Sequence, residues 1–476
     1  MTDIGIETAL PRLRYAPFAA LLGLVIAGDQ LLWAVLPGIS LPLFLILVAS
    51  AAHALSFRLV SLRSALIAWA FLIVALLPSV DVVQPLSIAF ALAGMLGFVG
   101  IMIGDAGRAA VFAALRVPFY GAISVKDDSV AFATQPRSTH VGRLGASLRD
   151  WIVPGGLGLL FASLLLVANP VLEGVLIDLV NFDQDILPSF AQVLFWALLA
   201  LMIWPFLCLT GLRDVLRRPV PEAAALGQVW YLSSRSVTRA LILFNLMFAA
   251  QTATDLAILW GGAALPDGMT YANYAHRGAY PLLFAALLAG GFALLTQPFL
   301  VGRPVLRMLL LIWVAQTALL VASSMLRLDL YIEAYSLTRL RFAAFVWMGV
   351  IGGGLVLMLW QILRGFGPGW LMMRATELGV IALYVCSLIN VDGLVARHNL
   401  RDVPLTDYQR EMDNYYVCRL GEGAVVAIAR HDAENKEPLC IGSYGNPNIT
   451  TPFDWREWGY RNARLRSKLT QIEGAS

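Results

Sequence analysis

Long apolar stretches dominate this chain, and short polar segments separate them. Runs of roughly 18 or more apolar residues are typical of membrane-spanning α-helices, because about 20 helical residues cross the hydrocarbon core of a bilayer. We therefore predict about eleven transmembrane spans. They lie at about 16–36, 39–57, 64–83, 86–104, 151–176, 186–212, 237–262, 279–300, 304–326, 342–363 and 374–391. A re-entrant hairpin at about 16–57 is an alternative to the first two crossings.

Composition agrees with this pattern and excludes other classes of protein. Of 476 residues, 59% are hydrophobic and 14% are charged, whereas a soluble domain carries about 25% charged residues. The net charge of +3 is small, and the chain has no dense basic cluster of the kind that binds nucleic acid. We predict an all-α polytopic integral membrane protein, with a transmembrane bundle at residues 1–391 and a small C-terminal tail at residues 392–476.

Arginines predict the orientation of this bundle. They concentrate in alternate loops: before the first span, after the second, in the long segment at about 105–150, and after the sixth, eighth and tenth spans. The positive-inside rule places these loops and the N-terminus in the cytoplasm. With an odd number of spans, the C-terminal tail is then extracytoplasmic.

Three polar junctions on the outer side carry most of the candidate chemistry: Thr270–Tyr280, Arg327–Arg341 and Asn390–Asn399. The middle junction breaks the positive-inside trend, which indicates that its arginines are paired with nearby acids. One interpretation is a belt of interfacial tyrosines with snorkelling arginines. The other is a pocket for an anionic head group, since arginine contacts phosphate or carboxylate through two N–H groups. The candidate ligand-binding residues are Asp255, His276, Arg277, Asp329, Glu333, Arg339, Arg341, Asp392 and Arg397.

Asp29 and Asp255 are carboxylates within predicted spans. A charged group there costs roughly 2.5–3.5 kcal/mol unless it is paired or hydrated, so each is expected to face the interior of the bundle. Each is either a proton or ligand site, or a structural hydrogen-bond partner of a neighbouring helix or of an arginine such as Arg277 or Arg339. The structural interpretation is favoured.

The cysteines give a further expectation about the tail. Cys208 and Cys386 lie within predicted spans, whereas Cys418 and Cys440 lie in the tail. Because an oxidising compartment favours disulfides, we predict a Cys418–Cys440 bond that closes a loop around Val425–Arg430. The tail also has a basic helical pattern capped by Asp454, which either lies on an anionic membrane surface or packs on the rest of the tail.

The junction sequences resemble those of a family of bacterial polytopic membrane proteins that is defined as a domain of unknown function. The resemblance is carried by Leu330–Arg341, by Leu265–Gly268 with Tyr271–Gly278, and by Asp392–Asn399. The family usually has Gly at the position of Ser336, and serine tolerates a left-handed turn poorly. The resemblance implies a multi-pass protein of the bacterial cytoplasmic (inner) membrane with these motifs outward. It implies no activity.

The chain contains no Walker A sequence, dinucleotide fingerprint, HExxH motif or nucleophile elbow. We therefore assign no catalytic residue, no metal site and no cofactor. The favoured function is a non-enzymatic accessory, sensing or assembly component in contact with membrane lipids, whose outward polar site binds an anionic lipid or a protein partner. One alternative is a proton-coupled transporter that uses Asp29 and Asp255. The other is a transferase for a lipid-linked substrate at the outer face, with Asp255 or Glu333 as the base and Arg339 or Arg341 on the phosphate.

Overall fold

Helices account for all regular secondary structure in the stretches that the structure, a computed structural model, describes. Those stretches are residues 16–56, 60–103, 189–207, 233–257, 287–300, 302–401, 414–440, 449, 451–452 and 454–474. The α-helices are α1 (Ala16–Leu32), α2 (Ser40–Ser56), α3 (Leu62–Asp81), α4 (Pro85–Ile103), α5 (Phe190–Leu207), α6 (Ser234–Asp255), α7 (Leu287–Thr296), α8 (Pro304–Tyr335), α9 (Arg339–Arg364), α10 (Pro368–Leu388), α11 (Val391–Asn399), α12 (Val425–Asn435) and α13 (Tyr460–Glu473).

Five of these helices, α3, α4, α8, α9 and α10, are long and apolar enough to cross a membrane. Helices α1, α2, α5 and α7 are apolar but shorter. The predicted all-helical class is confirmed for the described stretches, and the apolar helices indicate a membrane protein. The count of eleven spans stays a prediction, because the span at about 151–176 lies outside the described residues.

The chain forms two units. The first comprises residues 1–220 and 452–459, and the second comprises residues 221–451 and 460–476. The predicted division at residue 391 concerns membrane sidedness and stays a prediction.

In the first unit, α3 and α4 pack closely because small residues lie between them. The Ala75 side chain lies where a side chain on Gly94 would have to go, so the two helices approach without a gap, and Leu72 and Phe98 are fully buried beside them. Helix α3 begins at Leu62 because the Ser61 side chain accepts a hydrogen bond from the third backbone N–H of the helix.

Residues 454–459 lie against the loop between α1 and α2 in the same unit. The Ile39 N–H donates to the carbonyl of Trp458 at 2.7 Å, and the Arg456 guanidinium donates to the carbonyl of Gln30 at 2.5 Å. The hydrogen bond from Arg456 also lowers the pKa of the Asp454 carboxyl. This part of the C-terminal tail and the α1–α2 loop therefore lie at the same end of the first unit.

In the second unit, α6, α7 and α8 share an aromatic core around Trp313. The ring of Trp313 is 5.2 Å from Phe244, 5.7 Å from Phe248 and 5.7 Å from Phe292, measured between ring centroids. Helix α8 also packs along α9, and α9 along α10.

Helix α8 continues well beyond the predicted span at 304–326. It runs without a break to Tyr335, so the segment that the sequence presents as a polar junction is mostly helix. A helix of this length is about 48 Å long, whereas the hydrocarbon core is about 30 Å thick. The helix is therefore longer than the hydrocarbon core is thick, and its polar end carries Asp329 and Glu333 on the exposed surface.

The turn between α8 and α9 consists of Ser336, Leu337 and Thr338. Asn399 binds Leu337 twice: its Oδ1 accepts the Leu337 N–H at 2.9 Å, and its Nδ2 donates to the Leu337 carbonyl at 3.0 Å. Thr338 caps α9 by accepting the Arg341 N–H at 3.3 Å. Ser336 has φ 64° and ψ 169°, a backbone conformation that only glycine adopts without strain.

The C-terminal cap, defined here as α11, residues 414–424, α12 and α13, packs at this end of the second unit. Asn390 starts α11 by accepting the Gly393 N–H at 3.0 Å, and it donates to the Gly423 carbonyl at 2.9 Å. A Cys418–Cys440 disulfide, with 5.7 Å between the Cα atoms, joins the start of the cap to the segment after α12.

The basic helix of the tail begins at Tyr460, and residues 455–457 form a separate 3₁₀ turn capped by Asp454. In the second unit, α13 packs on α12 and buries Leu465, and Asn462 donates to the Glu422 carboxylate at 2.7 Å. Of the two alternatives for this helix, the structure favours packing on the tail.

We expect Ser336→Gly to stabilise the protein by about 1 kcal/mol. A non-glycine residue in this backbone conformation costs on the order of 1–3 kcal/mol, and the greater freedom of glycine in the unfolded chain offsets roughly 0.5–1 kcal/mol of the gain. Thermal unfolding of the detergent-solubilised protein measures the change. The control, Ser467→Gly at an exposed position of α13, should lower the stability. An unchanged or lower unfolding temperature for Ser336→Gly would contradict the strain.

Candidate functional site

A buried ion pair joins α6 to α8 at the polar end of the second unit. Arg327 donates from Nη2 to Oδ1 of Asp255, and Gln251 donates to the same oxygen at 2.9 Å. The exposed fractions of the two charged side chains are 4% for Arg327 and 1% for Asp255. An arginine partner of Asp255 is thus Arg327, whereas Arg339, considered from the sequence, pairs with Asp392, and Arg277 lies outside the described residues.

The pair fixes the position of α6 along α8. Breaking a buried ion pair by removing one member costs about 3–5 kcal/mol. This arrangement suits a structural lock between the two helices.

Arg327 has a counterpart at the other end of the apolar part of α8. Arg307 donates to the carbonyls of Ile362 at 2.5 Å and Leu363 at 3.0 Å. Both carbonyls belong to the last turn of α9. Residues 308–326 contain no charged side chain. Twenty positions separate the two arginines, which is about 30 Å of helix and equals the thickness of a typical hydrocarbon core.

A second polar cluster surrounds Arg339 at the start of α9. Its Nε–H donates to Oδ1 of Asp392 on α11 at 2.5 Å, and its backbone N–H donates to the Tyr416 hydroxyl at 3.1 Å. The side chain of Arg339 is 52% exposed, against 22% for Asp392. Within the described stretches its two Nη groups have no hydrogen-bond partner, so the outer edge of the guanidinium is available to an anion.

Arg341 lies two residues after Arg339 on α9 and holds the turn between α8 and α9 together. Its Nη1 donates to the carbonyls of Tyr335 and Ser336, and its guanidinium lies 4.5 Å from the ring centroid of Tyr331. Tyr331 in turn packs on Tyr335, with 4.9 Å between the ring centroids. The donors of Arg341 are thus partly used within the chain, in contrast to the Nη groups of Arg339.

The remaining candidates do not converge on either cluster in the described stretches. Asp329 and Glu333 are exposed on the last turns of α8, and Arg397 is exposed on α11. Burial and the nearby Arg401 lower the pKa of His398, and Asp329 partly opposes this effect. His276 and Arg277 lie outside the described residues.

Asp29 has a different environment in the first unit. Its Oδ1 accepts hydrogen bonds from Gln192 at 2.8 Å and from the Trp196 indole at 2.7 Å, both on α5. These donors are neutral, so Asp29 joins two helices through hydrogen bonds, whereas Asp255 has a cationic partner. No group of three metal-ligating side chains occurs in the part of the chain that the structure describes.

The candidate set from the sequence omitted Arg327, although a signal for its burial was present. Arg327 continues a series spaced by three and four residues along one face of α8, a spacing that marks a single helix face. All members of the series are buried: Trp313, Thr317, Leu320, Ser324 and Arg327. Asn399 and Tyr416 were also missed, because no local pattern distinguishes them.

We expect Asp255→Asn and Arg327→Met each to destabilise the protein by about 3–5 kcal/mol, because each breaks the buried ion pair by removing one member. The double variant should be less destabilised than the sum of the two, with a coupling of at least about 1 kcal/mol. Unfolding in detergent measures all four members of the cycle. Asp329→Asn, an exposed acid on the same helix, should change little. Additive effects would show that the ion pair is not the source of the stability.

Comparison with known proteins places the chain in a family without assigning it an activity. No curated protein and no solved structure matches the chain significantly. Residues 43–431 match a family described as a domain of unknown function, DUF4153. The match includes α8, the turn to α9, Asp255 and Asp392, so both polar clusters lie within it. The chain belongs to the DUF4153 family.

Proposed function

We propose that this protein is a non-enzymatic, multi-pass component of a bacterial cytoplasmic (inner) membrane that binds an anionic lipid head group at its outer face through Arg339. The carrying observation is the geometry of this guanidinium. Asp392 and Tyr416 hold the residue through Nε and the backbone N–H, while the terminal nitrogens lie at a half-exposed edge. Arginine in this state offers paired donors to a phosphate or carboxylate.

A lipid is favoured over a soluble anion because apolar side chains surround this edge. Leu340, the next residue, is 81% exposed, and Trp347 on the same membrane-spanning helix is 61% exposed. Exposed apolar residues on such a helix face acyl chains. Arg339 is therefore at the level where the acyl chains end and the head groups begin.

Two features of the second unit support an outward-facing cap. The first is the Cys418–Cys440 disulfide, since disulfides persist in oxidising compartments outside the cytoplasm. The second is a basic rim at the opposite end of α8, where α9 ends and α10 begins. The rim carries four arginines and one acid, Arg303, Arg307, Arg364, Arg374 and Glu377, and an excess of basic residues favours the cytoplasmic side.

The two alternative functions have less support. The transporter hypothesis used Asp255, whose carboxylate is bound by Arg327 and Gln251. The transferase hypothesis assigned the role of base to Asp255 or Glu333. Asp255 is buried in the pair, and Glu333 is exposed on the surface of α8.

If the cap faces outward, cysteines in the cap and cysteines at the basic rim should react with reagents from opposite sides of the membrane. In intact cells, a membrane-impermeant phosphine reductant followed by a membrane-impermeant maleimide should label Cys418 and Cys440, because the cap is outside. A cysteine introduced by Phe366→Cys, at the exposed turn between α9 and α10, should react only after the cells are opened. The reverse labelling pattern would show that the cap lies on the cytoplasmic side of the membrane and would contradict the proposed orientation.

The lipid site itself can be tested by photo-crosslinking in native membranes. A benzoylphenylalanine placed at Leu340 should capture anionic lipids in excess of their share of the membrane, as measured by mass spectrometry of the adduct. Arg339→Gln should reduce this enrichment by roughly tenfold, because a hydrogen bond to a charged group contributes about 1.5–3 kcal/mol.

Two controls make this result specific. Arg430→Gln removes an exposed arginine from α12 and should leave the enrichment unchanged. A benzoylphenylalanine at Ile381, exposed on α10, should capture lipids in their bulk proportions. Adducts at Leu340 with bulk composition would refute the head-group site, and a protein adduct that depends on Arg339 would assign the site to a protein partner instead.

A further inference from the structure

The basic rim has an unusual balance of charge for its surroundings. The 3₁₀ helix Gln297–Leu300 and the turn at residues 365–367 meet there. The neighbouring helix ends contribute Arg303, Arg307, Arg364 and Arg374 against a single acid in the described stretches, Glu377. The structure confines these residues to one end of the second unit, since Gln297 and Gln361 exchange two side-chain hydrogen bonds of 2.9 and 3.0 Å. Four cationic groups thus share a small edge with one carboxylate.

Two of the arginines are used within the protein. Arg307 donates to the last carbonyls of α9, where a cation also stabilises the negative end of the helix dipole. Arg374 donates to Glu377 at 2.7 Å. The charge of Arg307 is thus compensated by a helix terminus, and the charge of Arg374 is compensated by an acid.

The other two arginines are not compensated by an acid. Arg303 is exposed at the start of α8 and makes no side-chain capping bond. Arg364 is exposed and lies 4.6 Å from the ring centroid of Trp360, a contact that leaves the guanidinium N–H donors at its edge unused. Within the described stretches neither guanidinium has a hydrogen-bonded acceptor.

Exposed apolar side chains lie next to Arg303 and Arg364 along the same helices. Val305, Met308, Leu363 and Met372 are each at least 58% exposed, although they belong to membrane-spanning helices. Trp360 and Phe366 are also exposed, and tryptophan is enriched where acyl chains meet head groups. A surface that offers apolar contacts and free guanidinium donors side by side complements a lipid whose head group is an anion.

We propose that the basic rim binds the phosphate-bearing head group of an anionic glycerophospholipid, with Arg303 and Arg364 as its ligands and Trp360 against its glycerol and upper chain region. A zwitterionic lipid carries a cation beside its phosphate, which Arg364 and Arg303 repel, so binding discriminates by net charge. The site is at the opposite end of the unit from Arg339 and does not rest on the function proposed for that residue.

Titration of the purified full-length protein in detergent with phosphatidylglycerol or phosphatidylcholine tests the site, with native mass spectrometry and the unfolding temperature as readouts. Each basic group near an anionic lipid favours binding by roughly fivefold, so two arginines give phosphatidylglycerol an advantage of at least about tenfold. The titration is done in the Arg339→Gln background, so that the outer-face site does not contribute; there, Arg303→Gln with Arg364→Gln should abolish this preference. A control that removes two exposed cations from α13 in the same background, Arg464→Gln with Lys468→Gln, should keep it.

Two further measurements complete the test. One distinguishes a lipid from a free phosphate, and the other is informative if the double variant misfolds. Glycerol phosphate without acyl chains should not raise the unfolding temperature, because the apolar contacts supply part of the affinity. Arg303→Gln alone should retain an intermediate preference if the double variant does not fold. A protein with Arg339→Gln that shows no lipid preference, or a preference that survives when Arg303→Gln and Arg364→Gln are added to it, would overturn the proposal.

Discussion

A charged side chain in a membrane-spanning helix must either find a partner or reach the head groups, because the hydrocarbon core offers it no solvation. The second unit is arranged around this constraint. On α8, Arg307 binds the carbonyl end of α9 and Arg327 binds Asp255 of α6. The stretch between them has no charge and is about one hydrocarbon thickness long. Each arginine thus ties α8 to a different neighbour at one edge of the apolar region, and the two contacts set the register of three helices.

The same constraint explains why the cap can be polar. Past Arg327, Asp329 and Glu333 are exposed on the last turns of the helix, where polar side chains can reach water. The turn that follows is held by contacts from several elements, with Asn399 on both polar groups of Leu337. A strained residue persists only where its surroundings over-determine the backbone, and Ser336 is such a residue. The turn is consequently a rigid base on which α11 and the disulfide-closed segment are built.

The two carboxylates inside the predicted spans illustrate how context decides the role of a residue. Asp255 is covered and bound by a cation, whereas Asp29 is bound by an amide and an indole. Breaking a buried ion pair costs about 3–5 kcal/mol, whereas a hydrogen bond to a charged group contributes about 1.5–3 kcal/mol. Identical side chains in helices of similar character therefore differ in how strongly they join their helices.

Much of the helical framework was predictable from the sequence, since apolar run length alone decides whether a helix can cross a bilayer. The described helices from α1 to α10 each fall on a predicted span, and the pattern of period 3.6 on α8 already put Arg327 on the buried face. Helix α8 continues beyond the predicted end of its membrane span, because the span was ended where polar residues begin. Polarity marks where the hydrocarbon ends, whereas the helix continues until its backbone hydrogen bonds are interrupted, here at Ser336.

The sequence by itself determined that the chain is an all-helical membrane protein, where its charged groups are concentrated, and which cysteines are available to each other. The tertiary structure alone decided how those charged groups are partnered. Arg327 meets an acid 72 positions away, and Arg339 meets one on α11 rather than Asp255. Run length and periodicity are local properties that each helix carries in its own residues. Pairing depends on the rotation and register of helices that are far apart in sequence, and these are settled only when the packed helices must satisfy every buried polar group at once.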